Sequence, residues 1–327
     1  MTSDSQQEYT TIKFRRIGQG FCGSVWAAEE GTMAMKREDG GPGRSLLNDY
    51  KMHKLVLDAA SEEKLSVCVP RWPNFVKNDD TCWWDTNLSS FPAGYTACNV
   101  LCSERIPPLP QEVRHRLIDR YCPPASAQAI KANDADRDCL VRPYLGRRKI
   151  QNEARRGRNF SSLRNYPLHL NQAEDLGLPI LECARAMADT LAMMHWMAKI
   201  DANDVEFVLG GVRTKADTTH GDIYPHDILG THSMWVLDFD CCRPMTMDDD
   251  GIDQAARAFL RNDPFFPRPV TDTESPDSTL WTEFRDRYLE SSENIVACSC
   301  LASLNSPGKF IARVMEMHVH GTDRKTA

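Results

Sequence analysis

Apolar and polar residues alternate in short runs over the first third of the chain and recur at helical spacing beyond it. Residues 14–20 and 23–28 read as two strands around a glycine-rich turn, and 32–36 as a third. Gly40, Gly41, Pro42 and Gly43 break the pattern, and Ser45 is placed to cap a helix. Leu46, Leu47, Tyr50, Met52, His53, Leu55, Val56 and Leu57 give that helix a broad apolar face. Residues 98–106 predict another strand, and Pro107, Pro108 and Pro110 mark a boundary. Beyond it, Val113, Leu117, Ile118 and Tyr121 sit at helical spacing. The clearest helix spans 180–198, with Ile180, Ala184, Met187, Leu191, Met194 and Ala198 on one stripe. Residues 205–211 and 234–240 predict strands, and Trp281, Phe284 and Tyr288 a further helix. The expectation is an α/β (α+β) chain in two parts. Residues 12–110 should be mostly β with one helix, and 111–327 mainly helical.

Composition adds little to that picture. The chain has 327 residues, 41% hydrophobic and 26% charged, as a globular protein should. It lacks an apolar run long enough to cross a membrane, so no membrane partner is expected. The first residues lack the basic and apolar regions of a secretory signal, and the expected compartment is cytoplasmic. The 12 cysteines are scattered. Cys298-x-Cys300 followed by His318-x-His320 departs from the usual zinc spacings. The expectation is therefore no metal, no zinc and no cofactor.

Charge changes the picture more. The net charge of -7 argues against a nucleic-acid partner. Yet residues 142–164 hold eight Lys or Arg and one acid, a local +7, which leaves -14 for the rest. Arg142, Arg147, Arg148, Lys149, Arg155, Arg156 and Arg158 are the expected RNA-backbone contacts, with Tyr144 and Phe160 interleaved to stack on bases.

Three motifs carry the chemistry. Gly18, Gly20 and Gly23 stand in G-x-G-x-x-G, with Val25 two residues on and Lys36 in Ala-Met-Lys beyond. In order, these are similar to a protein-kinase N-lobe, so the expected architecture is a protein-kinase-like two-lobed fold. The catalytic motifs are degenerate. Asp201 and Glu206 are five apart, where a kinase has Asp and Asn, and Asp238-Phe239-Asp240 replaces D-F-G. His220-Gly221-Asp222 offers a second spacing match, with Asp227 five residues on.

The stretches GFCGSVWA, MKREDGGPGRSL, SERIPPLP, YCPP, RPYLGRRK, LAMMHW, NDVEFVLG and LDFDCCRP span almost the whole chain. In that order they resemble the fungal arginine-containing cyclodipeptide synthases, a family that carries an unknown-function label worded as a zinc-finger protein. The resemblance implies an aminoacyltransferase of secondary metabolism. It would take arginyl-tRNA and a second charged tRNA and release a cyclo-arginine-Xaa diketopiperazine, without ATP. The chemistry needs a base for an ammonium group and a proton for a ribose hydroxyl. Asp201, Asp204 and Glu206 are the expected catalytic acids, with Asp204 and Glu206 on one face of a strand. Asp238 and Asp240, on one face if their strand continues, are expected to hold the arginyl guanidinium, which favours a bidentate carboxylate. Lys36, Gly18, Gly20 and Gly23 complete the expected substrate-binding set. Ser24, Cys241 and Cys242 are possible acyl acceptors, although neighbouring carboxylates disfavour the two thiolates. Two rivals stay open. One is an ATP-dependent small-molecule phosphotransferase using Lys36, Asp222 and Asp238, and the other a kinase-like binding module without catalysis.

Overall fold

The computed structural model describes residues 12–149, 162–213, 221–270, 272, 274–298 and 306–326. The described residues form a mixed α/β structure with two sheets. Its contacts divide it into two compact units. The first comprises residues up to Leu46 and Trp72–Arg105; the second comprises Leu47–Arg71 and everything from Ile106 onward.

The first unit is built on β1 (Phe14–Gln19), β2 (Ser24–Ala28), β3 (Met33–Arg37), β4 (Asn74–Val76) and β5 (Val100–Glu104), with the short helix α2 (Thr81–Asn87). Its antiparallel sheet runs β1-β2-β3-β5-β4. Alternation along β3 buries Met35 and Arg37 on one face and sends Lys36 to the other. Trp26, Met35, Val76, Trp84, Phe91 and Val100 form the core. Arg37 is only 2% exposed, yet it is a cation. Its guanidinium lies over Phe91, Tyr95 and Trp84, at 4.6, 5.2 and 5.3 Å from the ring centres. Nε donates to Asp39 and Nη2 to the Thr96 carbonyl, whereas Nη1 has no hydrogen-bond partner. Three ring faces take the place of the missing acceptor.

The second unit holds β6 (Val141–Tyr144), β7 (Tyr166–His169), β8 (Glu206–Gly211) and β9 (His232–Leu237), in the order β7-β6-β8-β9. β6 and β7 are parallel; β8 and β9 are antiparallel, with Glu206 opposite Leu237. Its helices are α1 (Leu46–Glu62), which begins at the last residue of the first unit, α3 (Gln111–Tyr121), α4 (Pro124–Lys131), α5 (Leu170–Leu176), α6 (Ile180–Trp196), α7 (Asp249–Arg261), α8 (Ser278–Cys298) and α9 (Ser306–Thr326). Ala184, Met187, Leu191 and Met194 of the expected stripe are buried, Ile180 is half-buried, and Ala198 lies just past the helix end; Ala186, Ala188, Ala192 and Met193 are buried as well, so the helix is enclosed on nearly all sides. Leu280, Trp281, Phe284 and Tyr288 of α8 are buried in the same core, at about 1.5–3 kcal/mol for each large apolar side chain. No described helix is long and apolar enough to cross a membrane.

Two features differ from the sequence pattern. Residues 47–71 group with the second unit because Met52, Val56, Ala59 and Ala60 of α1 enter its core. The strands expected over 205–211 and 234–240 are shorter at their acidic ends, since β8 starts at Glu206 and β9 stops at Leu237.

Candidate functional site

Two turns of the second unit hold Asp201, Asp204, Asp238 and Asp240. The first follows α6 and leads into β8; the second leaves β9 and leads towards α7. Both are backbone-strained. Lys199, Ala202, Asp204 and Asp238 have φ of 54°, 50°, 64° and 65°, the left-handed region that side chains other than glycine rarely adopt. Such conformations persist only where the surroundings impose them, and they concentrate at functional sites.

The surroundings here are a set of hydrogen bonds. Asp201, 4% exposed, accepts at Oδ1 from the N–H of Asn203 and of Arg243, at 3.2 and 2.9 Å, and at Oδ2 from Gln254 Nε2 at 2.8 Å. The Asp201 N–H in turn donates to the Arg243 carbonyl. Asn203 Nδ2 donates to the Cys241 carbonyl. Asn262 accepts from the Asp204 N–H at 2.6 Å and donates to the Ala202 carbonyl at 2.9 Å. Asn48 of α1 donates to the carbonyls of Asp240 and Cys242, both at 2.9 Å. Asp49 accepts from the Phe239 N–H. Asn48, Asn203, Gln254 and Asn262 were not among the expected site residues. Isolated amides carry little signal in a sequence, because their role is fixed by which carbonyls a distant turn presents.

This scaffold brings the side-chain donor atoms of Asp204, Asp240 and Cys241 within 4.8 Å of one another. Asp204 is exposed, Asp240 buried and Cys241 half-buried. The expected grouping is therefore altered. Asp204 and Glu206 do not share a strand face, because Asp204 lies in the turn before β8 with positive φ. Asp238 and Asp240 do not share one either, because the chain turns at Asp238. Glu206 binds Arg142 of β6 at 2.5 Å, with both side chains largely shielded. Cys242 is fully buried; burial first, and then Asp201, Asp49 and Asp238, push its thiol well above the ordinary range. That makes it a poor nucleophile, as expected, although burial outweighs the carboxylates as the cause.

The basic stretch is less available than its sequence implies. Arg148 is bound by Glu174 and Asp277 at 2.6 Å each, and Arg142 by Glu206. Arg147 lies over the Tyr144 ring at 5.3 Å and is exposed, as is Lys149. Tyr144 offers no face for a base, since it is buried, donates to Asp263 and packs edge-on against Phe265. Arg155, Arg156, Arg158 and Phe160 lie outside the described residues. Asp222 and Asp227 are exposed, while His220 lies outside the described residues.

In the first unit, Gly18, Gly20 and Gly23 lie in the β1–β2 hairpin and Lys36 on β3, opposite Val25 of β2 and Leu101 of β5. Gly23 has φ of 149°, and a Cβ there would stand 2.1 Å from the Arg37 carbonyl oxygen, so only glycine fits. The turn is closed from within. The Gly20 N–H donates to the Gly23 carbonyl, and the Gly40 and Gly41 N–H groups donate to Cys22 and Phe21. Asp39 accepts from the Ser24 N–H and hydroxyl at 2.7 Å. Ser24 is 6% exposed and also accepts from Trp26 Nε1, so its hydroxyl is not presented as an acyl acceptor.

A family model described as "Zinc finger protein" matches residues 234–299. No curated protein matches the chain. The match overturns the expectation that zinc plays no part, because it points to zinc binding within 234–299. The donor chemistry decides what kind of site fits. Residues 234–299 contain Cys241, Cys242 and Cys298 and no histidine, too few for the four Cys or His ligands of a closed structural zinc. Among the described residues, the one group of three or more potential ligands is Asp204, Asp240 and Cys241. Carboxylate oxygens and a thiolate are ordinary zinc donors, and three protein ligands leave a fourth position open.

Proposed function

We propose that the chain is an aminoacyltransferase that joins two aminoacyl groups delivered by charged tRNA, one of them arginyl, into a cyclic dipeptide, on a kinase-like two-lobed framework. The observation that carries the reading is the acidic cluster held by two strained, hydrogen-bonded turns. The framework is supported by the G-x-G-x-x-G hairpin, a lysine on the third strand and Asp238 directly after β9, which match the order of the kinase motifs. The substrates place the reaction in the cytoplasm.

In this reading the α-amine of one aminoacyl ester attacks the carbonyl of the other. A C–N bond forms, the ester C–O bond breaks, and the departing ribose oxygen takes up a proton. The dipeptidyl amine then attacks its own ester carbonyl, closing the ring and releasing the second tRNA. Both steps need a carboxylate to take the ammonium proton. Asp204 suits that role, being exposed and oriented by Asn262 through its own backbone. Asp240 and Asp238 supply negative charge for the guanidinium. Asp201 acts as a positioning residue, since its oxygens already accept three hydrogen bonds. A zinc ion held by Asp204, Asp240 and Cys241 would supply Lewis-acid character at its open position, in place of proton uptake by Asp204 and not alongside it.

The phosphotransferase reading is weaker in one specific place. Asp39 occupies the Ser24 N–H and puts a carboxylate at the glycine-rich turn, where a phosphate would need donors and positive charge.

The test is purified protein with a charged tRNA pool and mass spectrometry for arginine-containing diketopiperazines, with and without ribonuclease. The expected product is ribonuclease-sensitive. Asp204→Asn lowers its formation by about 100-fold or more, the usual contribution of a general base. The variant should keep its unfolding free energy in urea within about 0.5 kcal/mol, as an exposed site allows. Absence of product with intact arginyl-tRNA overturns the proposal.

A further inference from the structure

We infer that Asp204, Asp240 and Cys241 form a three-donor site for one divalent metal ion, zinc in the first place. The donors come from two turns that are 36 residues apart in sequence, and their ligand atoms converge within 4.8 Å. Convergence alone would not distinguish an ion site from an ordinary acidic surface. Two things do. One donor is a half-buried thiol, which selects zinc over the hard cations that carboxylates alone attract. The zinc-finger family match, obtained from sequence, covers Asp240 and Cys241.

The turns are pinned from outside the donor set. Asn262 holds the Asp204 backbone, Asn48 holds the Asp240 carbonyl and Asn203 holds the Cys241 carbonyl. These bonds fix the backbone at each donor, the role that outer partners play around metal ligands. Of the alternative at the C-terminal end, Cys300 lies outside the described residues. Cys298 is exposed at the end of α8, His318 and His320 lie on α9, and among the described residues they join no group of three ligands.

The site shares Asp204 and Asp240 with the proposed reaction, and in that respect rests on the same cluster. A carboxylate bound to zinc cannot take an ammonium proton, so metal binding and base action compete. The metal experiment is therefore read without the reaction. The full chain is stripped with a chelator, and zinc or cobalt(II) is added back. Zinc should be retained at about one equivalent through gel filtration, and cobalt(II) should give a thiolate-to-metal charge-transfer band. Cys241→Ser should abolish that band, and Asp240→Asn should weaken zinc binding by at least about tenfold, the least that disturbing a metal's surroundings costs. Cys298→Ser should alter neither. Far-ultraviolet circular dichroism confirms that each variant is folded. Asp204→Asn, exposed and expected to fold, gives the same answer if Asp240→Asn does not. Failure of the wild-type chain to bind either ion, a cobalt spectrum without the thiolate band, or loss of metal in Cys298→Ser overturns the inference. Those outcomes leave the proposed reaction standing. Metal binding without any diketopiperazine product overturns the reaction and leaves the site.

Discussion

The acidic turns and the basic stretch of the second unit hold opposite charges and handle them in opposite ways. In the turns, backbone amides and side-chain amides carry the structural work, and Asp204, Asp240 and Cys241 are brought together. In the basic stretch the charged groups themselves carry it, with Arg142 on Glu206 and Arg148 on Glu174 and Asp277. Like-signed groups gathered at one point cost free energy unless a ligand or proton compensates them, whereas salt-bridged groups are already compensated. Local charge density in a sequence therefore says less than which charges the fold has already paired.

The largest test of this contrast is Asp201, whose carboxylate accepts three hydrogen bonds. Asp201→Ala leaves three donors without their acceptor and should cost about 3 kcal/mol in urea unfolding, as losing a buried charged acceptor does. An unchanged midpoint would mean that the turns are not held in this way.

Acid provides the next test, through the helix that delivers the first turn. His195 lies at the end of α6, fully buried, with Nδ1 2.8 Å from Tyr288 Oη of α8 and its ring against Phe310 of α9 and Trp196. Burial lowers its pKa to about 3 from the ordinary 6.5. The unfolded chain thus takes up a proton below about pH 6.5 that the folded chain refuses. Stability is fully present above that pH and falls by about 1.4 kcal/mol per pH unit towards pH 3. Urea midpoints at pH 7 and pH 5 should therefore diverge less in His195→Gln than in the parent. Equal pH slopes would remove His195 from the account.

The smallest effects are expected on the basic side. Arg142→Ala strands a largely shielded Glu206 and should cost about 1–2 kcal/mol. Arg148→Ala, at pairs about one-third exposed, should cost less than about 1 kcal/mol. Double-mutant cycles with Glu206 and Glu174 measure both. If Arg147 and Lys149 contact RNA, neutralising each should lower the salt slope of tRNA binding by about 1, while Arg148→Ala changes it less. A larger change for Arg148 would show that its pairs yield to RNA and would narrow the contrast.

The sequence made the elements legible where burial has a period. The stripe on α6 and the alternation along β3 are both visible in the residue order, because each follows from one element's geometry. The site was legible in its acids and illegible in its assembly. Asp204 and Glu206 look like strand neighbours until the chain turns at Asp204, and nothing in the residue itself announces a left-handed φ. Arg142 and Glu206 are 64 residues apart, and their pairing depends on β6 lying beside β8. The amides of Asn48 and Asn262 act on carbonyls far along the chain, which no local pattern encodes.

The caged cation of the first unit has a consequence for how that unit can change over evolutionary time. In an ordinary core the loss of one ring costs packing and leaves a partly relaxed cavity. Here a lost ring at position 84, 91 or 95 would uncover a buried guanidinium, and a lysine at position 37 would present a compact charge that three flat faces do not match. The four positions are bound to drift together, so in related chains Arg37 and its rings should covary as a set.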